Sequence, residues 1–151
     1  MAEVDKNIKK GFIFAVGRRK DAVARIRLYE TIKDTLIVAG EKVKKGELFV
    51  NDKRIEDYFG GKVASSIYLE PLRITNNLEK YAITVKVVGG GQKGQLIAVV
   101  HGISRALSAI DIKNRQILKK KGLLTRDPRV RQRRNVGMGG KSRRAKQSPK
   151  R

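Results

Sequence analysis

The last 26 residues constrain the fold most, because they cannot contribute to a hydrophobic core. The segment 126–151 contains no Leu, Ile, Phe, Tyr or Trp. It carries eleven Lys or Arg residues against the single acid Asp127, which is +10 of the formal +22 of the chain. Burial of so little apolar surface does not offset the conformational entropy that the segment would lose on ordering. Three glycines between 137 and 140, together with Pro149, disfavour a helix. We therefore expect an extended basic tail that orders only against a polyanion.

Charge also dominates the rest of the chain. Residues 1–125 retain 25 Lys or Arg side chains against 13 acids. A tail that served only solubility would gain more from acids than from arginines, whereas the planar guanidinium suits bidentate contact with phosphate. Domain and tail therefore share the electrostatic signature of a nucleic-acid-binding protein.

Other classes of protein are disfavoured by composition. The chain lacks an apolar run of about 18 residues and a basic amphipathic helix with Trp or Phe on its apolar face. Its N-terminus does not resemble a signal or transit peptide. Without cysteine there is no disulfide or thiolate zinc site. We therefore expect a cytoplasmic protein. No paired acids or nucleophile–base arrangement stands out, so we also expect that it is not an enzyme and has no cofactor or metal.

Hydrophobic periodicity predicts one domain between a flexible N-terminus, residues 1–10, and the tail. Strands are predicted at 12–16, 22–29, 48–50 and 81–88, a helical turn at 55–59, and helices at 63–70, 92–110 and 113–121. Pro71 is expected to end the second of these helical segments. Residues 30–47 form a long connection. Residues 11–125 are thus expected to form a single two-layer α/β (α+β) domain, with helices packed on one sheet.

A basic hairpin is predicted near the start of the domain. Residues 17–21 are interpreted as a turn with three consecutive cations, Arg18, Arg19 and Lys20. In the strand that follows, residues alternate so that Ile26 and Leu28 are buried while Arg25 and Arg27 point outward. A solvated strand face is the alternative. Five cations this close repel one another unless an anion lies among them.

A glycine-rich loop precedes the longest helix. Residues 89–94 match the pattern G-x-G-x-x-G, but the preceding strand is the last one, and no acid ends a following strand as a dinucleotide site requires. Glycines at a helix N-terminus still let main-chain N–H groups face an anion. We expect a nucleic-acid phosphate here, bound by Gly89, Gly90, Gly91, Gln92 and Lys93.

The helix 92–110 has two distinct sides. One side is the predicted core stripe of Leu96, Ile97, Val100, Ile103, Ser104, Leu107 and Ile110. The other side carries small residues that would allow a partner to approach closely: Ala98, Gly102, Ala106 and Ala109, with Arg105 among them. His101 and Arg105 lie off the stripe and are predicted to touch RNA. The few, scattered aromatic residues do not predict a platform for stacked bases.

Several motifs, taken together, resemble the bacterial type of the small-subunit ribosomal protein nine family. They are residues 17–28, Val50-Asn51 with Tyr58-Phe59, residues 89–95, residues 101–107, residues 122–129 and residues 141–151. The similarity runs from about residue 11 to the end, with the motifs in the family's order. It departs in two places: the connection 30–47 is longer than usual, and the aromatic residue that normally precedes the final Lys-Arg is replaced within residues 146–149.

The resemblance implies a mixed-sheet domain similar to the second domain of small-subunit ribosomal protein five, with a left-handed βαβ crossover. It implies binding to the head (3′ major) domain of small-subunit ribosomal RNA, beside head proteins seven, ten and fourteen. It also implies that Lys150 and Arg151 contact the anticodon stem-loop of peptidyl-site transfer RNA. The tail cations expected on ribosomal RNA are Arg126, Arg129, Arg131, Arg133, Arg134, Lys141, Arg143, Arg144 and Lys146.

Two alternatives remain. A nucleoid-type architectural DNA-binding protein would share the charge and the tail, but it should also show a dimer surface or groove-wedging side chains. A small phosphotransferase would need Mg²⁺-binding acids near the glycine loop. The sequence shows neither feature.

Overall fold

The computed structural model describes residues 11–30, 37–38, 41–137 and 140. Its strands are β1 (Ile13–Arg19), β2 (Ala22–Tyr29), β3 (Ile37–Val38), β4 (Glu41–Lys42), β5 (Leu48–Val50), β6 (Lys53–Arg54) and β7 (Ala82–Val88). Its helices are α1 (Ile55–Tyr58), α2 (Lys62–Ile74), α3 (Gln92–Ile110) and α4 (Ile112–Lys120). The main sheet has the order β1-β2-β7-β5-β6, and β3 pairs with β4 separately. The predicted single α+β domain, a mixed sheet with helices packed on it, is confirmed.

The N-terminal hairpin is tighter than the sequence predicted. β1 pairs antiparallel with β2 as far as Arg19 opposite Ala22, so only Lys20 and Asp21 form the turn. Lys20 has a φ of 51°, as two-residue hairpin turns require. The prediction of a five-residue turn from Gly17 was therefore wrong, because a short turn keeps its flanking residues paired.

The core lies between the sheet and the helices. Ala22, Ala24, Ile26 and Leu28 are fully buried, as the alternation of β2 predicted. On α3 most of the core stripe is buried, but Ile97 is 45% exposed. The small side is also buried at Ala98, Gly102 and Ala106. The partner that packs against this small side is strand β1 of the same chain.

Close contact between α3 and β1 depends on two glycines. A Cβ atom on Gly17 would overlap the carbonyl oxygen of Ala98 and crowd the main chain of Gly102. A Cβ on Gly102 would lie 3.1 Å from the nitrogen of Gly17. Only glycine allows the two backbones to approach this closely.

Helix α2 does not end before Pro71 as predicted. It runs from Lys62 to Ile74 with the proline inside it. Pro71 and its neighbour Leu72 are buried in the core. Packing of this apolar turn against the core therefore outweighs the local preference of a residue that precedes proline.

The connection from residue 30 to residue 47 packs partly on the other face of the sheet. Val43 is buried there with Phe49, Ala82 and the half-buried Tyr29, in a small second core. Strand β5 lies parallel to β7, with β6, α1 and α2 in the connection between them. The left hand of that crossover stays a prediction.

Helix α4 begins and ends within one residue of its predicted bounds, 113–121. Its N-cap is Asp111, whose carboxylate accepts a hydrogen bond from the main-chain N–H of Lys113 at 2.9 Å. The helix ends at Lys120. Gly122 follows the cap with a φ of 73°, and the bonds from Gly122 N to Lys119 O and from Leu123 N to Leu118 O form a Schellman motif. Leu123 and Leu124 pack against the core, as expected. Among the described residues, no helix is long and apolar enough to cross a bilayer.

Candidate nucleic-acid interface

Three segments predicted to bind RNA meet at one end of the domain. We call them together the basic end: the tip of the first hairpin, Arg18–Lys20, the glycine loop Gly89–Lys93 and the root of the tail, Arg126–Arg129. They are far apart in the sequence.

The glycine loop lies against the hairpin turn. Gly89 and Gly90 have φ values of 76° and 65°, a conformation that side chains disfavour. A Cβ on Gly89 would lie 2.5 Å from the carbonyl oxygen of Asp21, and one on Gly90 would lie 3.0 Å from Ala22. Gly91 then caps α3 without a side-chain hydrogen bond. The first N–H groups of a helix have no partners within the helix, so they can bind an anion.

A hydrogen-bonded network of side chains supports the loop from behind. The side chain of Asn51 bonds both main-chain groups of Val87, from Val87 N to Oδ1 at 2.9 Å and from Nδ2 to Val87 O at 3.0 Å. The Tyr58 hydroxyl donates to Gln95 Oε1 at 2.9 Å, and Gln95 Nε2 donates to Gly89 O at 3.1 Å. In the sequence, these residues were recognisable only as parts of family motifs. Their structural role is to position the loop.

The root of the tail is held by Arg19, Asp127 and Arg129, which we call the clasp. Arg19 Nη2 lies 3.1 Å from Asp127 Oδ2, and Arg19 Nη1 donates to Arg129 O at 2.7 Å. Arg129 returns to Asp127 through Nη2 at 2.7 Å and through its main-chain N–H at 2.9 Å. The Arg129 side chain and N–H lower the pKa of Asp127 well below its usual range. The carboxylate therefore stays ionised and fixes the start of the tail on the domain.

His101 and Arg105 have a role that the sequence did not predict. Strand β1 is an edge strand, and both side chains cover its outer edge. Arg18 N donates to His101 Nδ1 at 3.3 Å, and Arg105 Nη1 donates to Val16 O. His101 Nε2 lies 3.3 Å from Leu124 O. Both ring nitrogens thus have hydrogen-bond partners within the protein. The predicted contact of this ring with RNA stays a prediction.

The same contacts set the protonation of His101. Since Nδ1 accepts a hydrogen bond, the neutral ring carries its proton on Nε2 and donates it to Leu124 O. Burial is the largest cause that lowers the pKa of His101, and the cations Arg105 and Arg126 lower it further, while the bond to Leu124 opposes them. The ring is therefore neutral at physiological pH and links β1 to the exit of the domain.

Arg25 and Arg27 lie elsewhere, on the sheet face opposite α3. We call this the open face: Phe14, Arg25, Arg27, Thr84 and Lys86. Pairing places Arg25 opposite Lys86 and Arg27 opposite Thr84. The Arg27 guanidinium lies 5.3 Å from the centroid of the Phe12 ring. Lys86 was not among the predicted site residues. The alternation of its strand is visible in the sequence, but the sequence does not show which strand lies beside it in the sheet.

The tail beyond the clasp is only partly described. Arg131, Arg133 and Arg134 are exposed, as are Arg18, Lys20, Lys93 and Arg126 in the basic end. The predicted ribosomal-RNA contacts Lys141, Arg143, Arg144 and Lys146 and the predicted transfer-RNA contacts Lys150 and Arg151 lie outside the described residues. So does the predicted flexible N-terminus, residues 1–10.

This geometry is typical of one class of protein: small basic domains that bind a polyanion through clustered cations. Comparison with family models matches residues 17–151 to Ribosomal protein S9/S16. The chain is also similar to the small ribosomal subunit protein uS9 of Maridesulfovibrio salexigens, with 47% identity over 133 residues, 88% of this chain and 92% of the relative. The chain therefore belongs to the Ribosomal protein S9/S16 family. The resemblance inferred from the motifs is confirmed, and membership makes the chain a ribosomal, RNA-binding protein of translation rather than a member of an enzyme family.

Proposed function

We propose that this chain is a structural constituent of the small ribosomal subunit, that its basic end binds ribosomal RNA of the head (3′ major) domain, and that its tail reaches peptidyl-site transfer RNA. The meeting of the hairpin tip, the glycine loop and the tail root is the observation that carries the proposal. An RNA backbone that crosses this end would meet the exposed cations and the free N–H groups of α3 together.

The clasp supports separate roles for the domain and the tail. Because Arg19 and Asp127 hold the tail root beside the glycine loop, RNA bound at the basic end continues directly onto Arg131, Arg133 and Arg134. The positions from Lys141 to Lys146 would neutralise ribosomal RNA further along. Lys150 and Arg151 would then meet the anticodon stem-loop. Head proteins seven, ten and fourteen are the proposed neighbours.

Sedimentation tests the ribosomal assignment. A tagged chain in cell lysate should migrate with small subunits and remain there after a high-salt wash, because a site built from many contacts survives salt that removes loosely bound basic proteins. Migration with nucleoid DNA, or release of the free chain by salt, would instead favour the architectural DNA-binding alternative.

Removal of the last residues tests the role of the tail tip. Deletion of residues 149–151 removes Lys150 and Arg151 and leaves the basic end intact. We expect unchanged incorporation into small subunits, weaker binding of transfer RNA to the peptidyl site and more frequent loss of reading frame. Unchanged transfer-RNA affinity and frame maintenance would contradict the proposed contact.

A further inference from the structure

The open face forms a concave surface that the ribosomal assignment does not explain. A cavity of about 370 Å³ lies over strands β1, β2, β7 and β5. Its lining includes Phe14, Arg25, Arg27, Tyr29 and Lys86. This volume falls at the lower end of the range of about 300–1,000 Å³ that is typical of small-ligand sites. It suits one nucleotide rather than the rounded side of a duplex.

Among the described residues, no acid forms a salt bridge with Arg25, Arg27 or Lys86 in this cavity. Arg25 and Lys86 are directly paired across β2 and β7, which places their Cβ atoms about 5 Å apart. Neither forms a salt bridge with another residue in the described part of the chain. Of the described residues that line the cavity, only Asp52 is acidic. Like charges directly opposite each other cost stability, and a phosphate between them would remove that cost.

Aromatic rings lie beside these cations. Phe14 is 40% exposed although it lies in a strand. It pairs with Arg27 on the neighbouring strand, one row along the sheet from Arg25 and Lys86. Phe14 therefore lies about 8 Å from Arg25, one strand spacing and two residues away, and about 12 Å from Lys86. The rings are scattered in the sequence, and only strand pairing brings them to one surface.

We propose that the open face binds a single unpaired nucleotide of RNA, with its phosphate between Arg25 and Lys86 and its base against Phe14. The inference rests on the proposed RNA-binding function and gives it a second, separate site. Charge complementarity selects the nucleic acid, and the size of the cavity together with the exposed ring selects an unpaired residue.

Two RNA hairpins with the same stem test this inference. One stem is fully paired, and the other carries one bulged 2-aminopurine. The full-length chain should bind the bulged hairpin about fivefold or more tightly, the range that base–aromatic stacking gives, and the fluorescence of the bulged base should change on binding. Phe14→Leu should abolish both the preference and the fluorescence change while leaving the affinity for the paired stem unchanged.

A matched control is Leu78→Ala, which alters a side chain of nearly equal exposure, 41%, outside the cavity. It should keep the preference for the bulge. Equal binding of the two hairpins, or a preference that survives Phe14→Leu, would overturn the inference while leaving RNA binding at the basic end standing. Competition by free AMP would assign the cavity to a mononucleotide instead and overturn the RNA site. Failure to bind either hairpin would overturn both this inference and the proposed RNA binding.

Discussion

The basic end and the open face both carry arginines, but they use them differently. In the basic end, the Arg19 side chain is only 11% exposed and holds Asp127 and the Arg129 carbonyl. On the open face, Arg25 has a like-charged neighbour, Lys86, instead of an acid. The first arrangement fixes the root of the tail, while the neighbouring cations Arg18, Lys20 and Arg126 stay exposed. The second leaves the cations themselves available for an anion. Residue type alone therefore does not identify an RNA contact.

The largest expected effect comes from the hairpin that serves both regions. Gly17→Ala would push β1 away from α3, because the new Cβ would overlap the main chain at Ala98 and Gly102. We expect the free energy of unfolding to fall by about 3 kcal/mol or more, measured by urea unfolding. Gly60→Ala is the matched control, since nothing lies within 4 Å of its Cβ position. Equal effects of the two changes would contradict the close packing.

The clasp distinguishes Arg19 from its neighbour. Arg19→Lys keeps the charge but loses the two-pronged contact with Asp127 and the Arg129 carbonyl. We expect a loss of about 1–2 kcal/mol of stability and faster tryptic cleavage between residues 126 and 134. Arg18→Lys, at an exposed position, should change stability by less than about 0.5 kcal/mol. If the two variants were cleaved at the same rate, the tail root would not be held as described.

The link through His101 predicts a pH dependence. The folded-state pKa of His101 lies below its ordinary value of 6.5, so the unfolded chain binds the proton more readily. The contribution of His101 to stability is complete above pH 6.5 and is lost as the pH falls below 6.5. The unfolding temperature should therefore decrease from pH 7 to pH 5, and His101→Gln should flatten this decrease. Asp127 acts in a different window, because its own pKa is lowered and its contribution fades only below its ordinary value of 3.8.

The smallest expected effect comes from a substitution on the open face, and it should raise the stability of the protein instead of lowering it. Lys86→Gln removes a like charge opposite Arg25, so the free protein should become more stable by a few tenths of a kcal/mol at low salt. The gain should disappear at high salt. Lys53→Gln, on the short edge strand β6, serves as the control and should show no such gain. A loss of stability in Lys86→Gln would show that Lys86 already has a favourable partner in the free protein.

The sequence predicted the elements better than their arrangement. Alternation in β2, the long apolar helix α3 and the glycine after α4 specify local structure directly, and all three predictions were confirmed. The extension of α2 through Pro71, the short strand β6 and the internal role of His101 depend on tertiary neighbours. Lys86 was missed for the same reason, since its significance comes from its pairing with Arg25. Charge patterns thus indicate that polyanions bind, whereas sheet pairing determines which cations are free to bind them.

The most direct test of the account is tethered hydroxyl-radical probing of reconstituted small subunits, which the absence of native cysteine makes simple. Single cysteines at Lys20, Lys93 and Arg126 mark the three segments of the basic end. Glu79→Cys is the control, since it precedes β7, whose length of about 23 Å separates it from the glycine loop. The account predicts that the three basic-end positions cleave overlapping nucleotides of head ribosomal RNA and that position 79 does not. Cleavage of three unrelated RNA segments, or the same cleavage from position 79, would contradict a shared RNA site at the basic end.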